Sequence, residues 1–215
     1  HWEMAAAAAL CGVQVRGVAA GAGRLVMNAE DLARTIRPTS IHSPAASVVC
    51  FENTHNGAGG KVTVLEELRA LRATADDHGL PVHMDGARFA NALAHLGCTA
   101  AEATWKGGVD VLSLGATKNG AMCAEAVVFF DPARARDFER RRKQAGHLWS
   151  KLRFVSAQLL AYFKDGLWLD NARHANAMAA LLAQGLGSLA GAALLQPVDA
   201  NEVFVALPET LVAAL

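Results

Sequence analysis

The stretches His83-Met-Asp-Gly-Ala-Arg88 and Ser113-Leu-Gly-Ala-Thr-Lys-Asn-Gly120 each belong to an apolar, strand-like run, Pro81 to Met84 in the first and Val109 to Leu114 in the second. Each run is 4–6 residues long, and polar groups follow it at once. That pattern places side chains beyond the carboxyl ends of strands in an open α/β sheet, where ligands bind. Working outward, Ser47 to Glu52, Ala126 to Phe130 and Glu202 to Leu207 read as further strands. Between the first two strands, Val64 to Asp77 puts Leu65, Leu68, Leu71 and Ala75 at helical spacing, and Gly79 supplies a stop. Strand, helix, strand is a βαβ unit, which predicts a mostly parallel sheet covered by helices on both faces.

The remaining elements follow from punctuation. Thr99 and Glu102 have capping-box spacing and predict a short helix ending near Gly107 and Gly108. Pro132 to Phe163 is a long charged helical pattern interrupted at Gly146, with Gly166 as terminus, and Asn171 to Gly185 is a further amphipathic helix. Gly187 to Gly191 reads as a linker, after which Glu202 to Leu207 opens a second, smaller α/β unit.

Composition narrows the partner. The chain has 215 residues, 53% of them hydrophobic, with mean hydropathy +0.21 and 20 basic against 20 acidic residues. No global field draws such a chain to nucleic acid or anionic lipid, so a small-molecule partner is expected. Arg140-Arg-Arg-Lys143 is basic, but Asp137 and Glu139 dilute it, and it reads as a solvated helix face or an anion site. Apolar runs are interrupted well before the roughly 20 residues that a membrane span needs. Met4 to Leu10 lacks a basic leader, which argues against a signal peptide. Cys11, Cys50, Cys98 and Cys123 form no C-x-x-C pair, and all but Cys11 lie in or beside apolar segments that read as core; reduced thiols and a cytoplasmic location are expected.

Three strand ends offer chemistry. Asp85 and Arg88 follow one, Lys118 another, and Glu52-Asn-Thr-His-Asn-Gly-Ala-Gly-Gly60 a third, with His42 a few residues before that last strand. Taken singly, Asp85 reads equally as a helix cap, Lys118 as a surface lysine in an Asn-Gly turn, the Glu52 to Gly60 loop as a set of turn caps, and His42 as structural or exposed. Taken together, a Lys able to form a Schiff base and an Asp able to hold a pyridinium nitrogen are the two groups that a pyridoxal 5'-phosphate (PLP) enzyme requires. His83 and Asp85 could share a strand face, but no third residue has metal-ligand spacing.

These motifs, together with Arg142-Lys-Gln-Ala-Gly146, stand in the order and at the spacing of a known family. From about Ala46 to Leu186 the chain resembles the PLP-dependent low-specificity threonine aldolases, which act on β-hydroxy amino acids and share the aspartate aminotransferase fold type I. The resemblance implies that Lys118 forms the Schiff base, Asp85 pairs with the pyridine nitrogen, and Arg88 contacts the cofactor or a substrate carboxylate. It implies that His42 lies near the substrate hydroxyl and His55 in the adjacent loop. Thr117 and Lys143 are implied for the phosphate region. Homo-oligomers, dimers or tetramers, are implied too.

The expected reaction is retro-aldol cleavage of threonine, allo-threonine or a related β-hydroxy-α-amino acid to glycine and an aldehyde. The alternatives are another fold-type-I lyase or aminotransferase, or a non-catalytic structural module. Residues 1–186 are expected to form a PLP-binding large domain without its N-terminal part, and residues 187–215 the beginning of a small C-terminal domain cut short. The family's Gly-Thr phosphate loop has no counterpart before Ala46, and His1 falls a few residues late for the ring-stacking histidine.

Overall fold

The computed structural model describes residues 3–214, so His1 lies outside the described residues. Strands β1 (Val49–Glu52), β2 (Val82–Gly86), β3 (Val111–Gly115) and β4 (Glu125–Phe129) form one sheet in chain order. The first three run parallel and β4 runs antiparallel to β3, which makes a mixed, mostly parallel α/β sheet. All four arise where the sequence predicts them, because each short apolar run is bounded by turn residues.

Six apolar strand side chains, Val49, Phe51, Val82, Met84, Leu112 and Leu114, alternate into one core. Short helices α1 (Ala6–Cys11) and α2 (Ala29–Thr35) precede the sheet. Helix α3 (Leu65–Asp77) crosses from β1 to β2 and buries Leu68, Leu71 and Ala75, the stripe its 3.6-residue period dictates. Helix α4 (Phe89–Leu96) adds Phe89 and Leu93. Burying each such side chain contributes about 1.5–3 kcal/mol. The opposite face carries Cys50, Glu52, His83, Asp85 and Ser113 in register, and there Cys50 and Asp85 stay exposed. The expected cover is therefore complete on one face only, among the described residues.

Helices α5 (Phe138–Gln144), α6 (Arg153–Phe163) and α7 (Leu167–Gly187) follow, broken at Gly146 and Gly166, both of which have positive φ. Helix α7 lies on α4, where Asn91 and Asn176 exchange two hydrogen bonds of 3.0 Å. Strands β5 (Ala193–Leu194) and β6 (Val205–Ala206) form a small antiparallel ribbon, shorter than the Glu202 to Leu207 strand predicted. No helix among the described residues is long and apolar enough to cross a membrane.

Two further expectations change, and one helix is new. The Thr99/Glu102 box forms, with Thr99 N donating to Glu102 Oε2 at 2.9 Å, yet the chain closes only turns and a short 3-10 segment at Trp105–Gly107. Thr104, far from helical φ/ψ, and the glycines at 107 and 108 end it before an α-helix can propagate. Cys50 and Cys123 are exposed rather than core, while Cys98 is half-buried; all four thiols are free. Helix α2 has no counterpart in the sequence reading. Its capping box uses Asn28 and Asp31 in place of the usual Ser/Thr and Glu/Gln.

Candidate functional site

The site is built where three turns meet at the carboxyl ends of β1, β2 and β3. Gly86 continues β2 where a Cβ would stand 2.6 Å from Leu112 Cδ1 and 2.9 Å from the Ser113 carbonyl oxygen. Gly115 ends β3 where a Cβ would stand 2.7 Å from the Ala87 backbone. All three distances are shorter than real Cβ contacts, so only glycine lets the turn bearing Asp85 and Arg88 touch the turn bearing Lys118. The structure thus brings together the two motifs that opened the sequence reading.

Each turn then presents its side chain. Asp85 Oδ1 accepts from Ala87 N at 2.9 Å, a local bond that fixes the carboxylate and leaves Oδ2 without a protein partner. The helix-cap reading of Asp85 is not realised, since α4 begins at Phe89 with Arg88 at its N-cap; the carboxylate instead braces the turn and remains exposed. Beneath it, His83 Nε2 lies 2.9 Å from Ser113 Oγ. Burial pushes the His83 pKa down, against an upward pull from Asp85.

Lys118 sits in the one-turn segment Thr117–Asn119, exposed, with no hydrogen bond or ion pair among the described residues. Its neighbour Asn119 is buried and donates through Nδ2 to Tyr162 Oη at 2.7 Å and to the Trp168 carbonyl at 2.8 Å. Asn171 Nδ2 donates to the Asn119 carbonyl at 3.1 Å. The lysine is free while its backbone is held from both α6 and α7. Thr117 Oγ1 accepts from Ala124 N at 3.4 Å, so this hydroxyl braces β4.

The third turn is the loop after β1. His55 Nδ1 accepts from Ala58 N at 3.1 Å and stands 4.0 Å from Glu52 Oε2. Neutral His55 therefore carries its proton on Nε2. Asn53 exchanges two bonds of 3.2 Å with the Thr63 backbone, which closes the loop. His42 lies apart from these contacts, at the exposed tip of a turn closed by Ser40 and Ser43, where its backbone N donates to Ser40 Oγ. Lys143 lies exposed on α5, and the basic stretch Arg140 to Lys143 is a largely solvated helix face.

The sequence reading missed Glu202. Its Oε1 pairs with Arg88 Nη2 at 2.7 Å, with 11% of the Glu202 side chain and 15% of the Arg88 side chain exposed. Burial pushes the Glu202 carboxyl above the usual carboxylate range; Arg88 pulls it back, Glu52 pushes it up, and Lys118 and His55 pull it down. All three strand-end turns therefore act on this one carboxylate. No sequence signal could have singled it out, since it lies 114 residues from Arg88 in an irregular segment before β6.

Arg88 Nη1 is buried without a partner. An orphaned guanidinium donor, a half-free carboxylate and a free lysine amine on two touching turns fit an anionic ligand with a protonatable ring, and so fit PLP or a PLP-bound amino acid. Among the described residues, no three His, Cys, Asp or Glu side chains cluster as a metal site.

Comparison with known proteins bears on the family and the fold. A model of the beta-eliminating lyases matches residues 1–210. A low specificity L-threonine aldolase from a Pseudomonas species is 47% identical over 180 residues, covering 84% of this chain and 51% of that protein. One from Escherichia coli is 35% identical over 104 residues, 48% of this chain and 30% of that protein. Among solved structures, a threonine aldolase from Leishmania major superposes with TM-score 0.80 at 29% identity, covering 88% of this chain and 55% of that one. The chain thus spans about half the length of the Pseudomonas and Leishmania relatives.

Proposed function

This chain belongs to the beta-eliminating lyase family, and on that premise we propose that it is part of a PLP-dependent lyase cleaving threonine, allo-threonine or a related β-hydroxy-α-amino acid to glycine and an aldehyde. The observation that supports the reading is the contact of the Asp85–Arg88 turn with the Lys118 turn, whose side chains are a half-free carboxylate, an orphaned guanidinium and a free amine. The 47% identity to a threonine aldolase supports the choice of reaction.

Lys118 would hold the cofactor covalently, and Asp85 would keep its ring nitrogen protonated. When bound, the cofactor supplies an electron sink for the Cα–Cβ bond of the amino acid. Arg88 would bind the substrate carboxylate, as a planar, always-charged donor suits. His55, with its proton on Nε2, would donate to the substrate and orient it. His42, whose ring makes no hydrogen bond among the described residues, would take the β-hydroxyl proton, a task suited to an imidazole near neutral pH. Thr117 and Lys143 would lie toward the phosphate, Lys143 reaching from a second subunit. We assign residues 1–186 to the cofactor-binding domain and residues 187–215 to the start of a second. A cytoplasmic homo-oligomer, dimer or tetramer, is the expected working form; four free thiols and the exposed Phe154, Leu160 and Phe163 on α6 are consistent with it.

The test combines colour and products. The purified chain with added PLP should turn yellow and release glycine and acetaldehyde from threonine in equal amounts, and Lys118→Ala should abolish both. Ammonia or a keto acid in place of glycine would replace the reaction by elimination or transamination. A protein that stays colourless with PLP would be a non-catalytic module.

A further inference from the structure

Arg88 is held at one end only. Its Nη2 pairs with Glu202 at 2.7 Å, while its Nη1 is buried and unpartnered. The carboxylate comes from a segment distant in sequence, and it enters through a gap left for it. At Gly60, which has φ +76, a Cβ would stand 2.9 Å from Glu202 Oε2 and 3.0 Å from its Cβ. Gly59, with φ +69, is crossed in the same way by the Gln196 side chain. Nearby, Lys61 pairs with Asp199 at 2.7 Å, and Asp199 also accepts from Val62 N at 3.1 Å. Residues 196–202 therefore lie along the loop after β1, and Glu202 reaches past it to the arginine.

We propose that Glu202 is a positioning residue: it fixes one arm of the Arg88 guanidinium so that the other, Nη1, is presented to the carboxylate of an amino-acid ligand. The inference rests on the functional reading above and adds a residue to it. A guanidinium has five donors in a planar fork, so anchoring one terminal nitrogen fixes the plane and direction of the other without consuming it. An arginine without this anchor would spend binding energy on ordering its own side chain when the ligand arrives.

A purely stabilising role fits less well. Burial and the Glu52 carboxylate both disfavour ionised Glu202, so the fold carries a cost for keeping the charge there. Buried pairs of this kind are often replaceable by neutral groups without loss of stability. The carboxylate nonetheless pairs with Arg88, and Lys118, His55 and Glu52 also act on it.

The experiment uses Glu202→Gln, which keeps shape and removes charge, with Glu202→Asp as the conservative comparison. In the PLP-loaded protein, Glu202→Gln should raise KM for threonine about 10-fold while kcat stays within about 2-fold, the pattern for loss of binding shared by ground and transition states. Its melting temperature should equal or exceed that of the parent, and Glu202→Asp should recover part of the KM.

A second arm needs no cofactor. In the apoprotein, the Arg88 side-chain N–H signal in a nitrogen–proton NMR spectrum should shift on titration with acetate, and Glu202→Gln should weaken that response several-fold. An unchanged KM, or an acetate response equal to the parent's, would overturn the proposal. A parent protein that does not cleave threonine but still loses its acetate response on Glu202→Gln would overturn the aldolase reading and leave the positioning role standing.

Discussion

The turn that carries Lys118 and the loop that carries His55 both follow carboxyl ends of strands in one sheet, yet they are braced by different chemistry. The Lys118 turn is pinned by neutral, buried hydrogen bonds from Asn119 to Tyr162 and to the Trp168 carbonyl, within the body of the large helical layer. The His55 loop is clasped by charges, Lys61 to Asp199 and, one step further, Arg88 to Glu202, from residues that follow α7 in the chain. Neutral buried pins give rigidity that salt does not touch. Charged clasps give an attachment that responds to pH and, where partly exposed as at Lys61, to ionic strength. The turn proposed to anchor the cofactor is thus braced by the unresponsive kind of contact, and the loop proposed to meet the polar ligand groups by the responsive kind.

The strongest way to break this contrast is Asn119→Ala. It strips two hydrogen bonds and leaves the Tyr162 hydroxyl and the Trp168 carbonyl without that donor, a loss of roughly 1–3 kcal/mol. For a chain of this size each kcal/mol lowers the melting temperature by about 2–4 °C. Scanning calorimetry checks the shift, and it should be the same in low and high salt. A shift that shrinks with salt would show that the pin is electrostatic.

Next in size is Asp199→Asn, which removes the 2.7 Å pair with Lys61 but keeps an oxygen for Val62 N. Asp199 is only 11% exposed and Lys61 34%, so the loss is expected near 1 kcal/mol, at the upper end for a surface pair. Here salt should matter. Raising ionic strength to about 1 M shortens the screening length to about 3 Å and should erase most of the difference between variant and parent. Hydrogen exchange across residues 53–62 should accelerate with salt in the parent, and exchange across 115–121 should not.

The contrast also explains what the sequence could and could not reveal. Strands β1 to β4 and helix α3 were legible because apolar period and flanking turn residues are local signals, and Asp85, Arg88, Lys118 and His55 were legible because motif residues sit directly after strands. The braces were not. Asn119 meets Tyr162 across 43 residues, and Arg88 meets Glu202 across 114; neither pairing leaves a periodic trace. His42 differs from those motif residues, since it lies before its strand rather than after one and sits at an exposed turn apart from the strand-end groups. The short helix expected after Thr99 failed because a cap opens a helix but cannot sustain one against Thr104 and two glycines.

The smallest effect separates the two braces by pH. Burial pushes the Tyr162 phenol above its ordinary value, with the Asn119 bond pulling the other way and Glu125 adding to the rise. A phenol raised in the fold keeps its proton where the unfolded chain has lost it. Its contribution is therefore complete below the unfolded value, about pH 10, and is lost as pH climbs from there toward the folded value. Glu202 is also raised, so the same sign applies in a window that starts near the unfolded carboxylate value of about 4.3. Acidification should relieve the cost of the clasp, whereas alkali should weaken the pin. Denaturant titrations across pH should then show a fall above about pH 10 that Tyr162→Phe flattens and an acid-side slope that Glu202→Gln flattens, each variant leaving the other limb unaltered. If Tyr162→Phe flattened the acid limb instead, the two turns would share a single electrostatic brace, and the division between a neutral anchor side and a charged ligand side would fail.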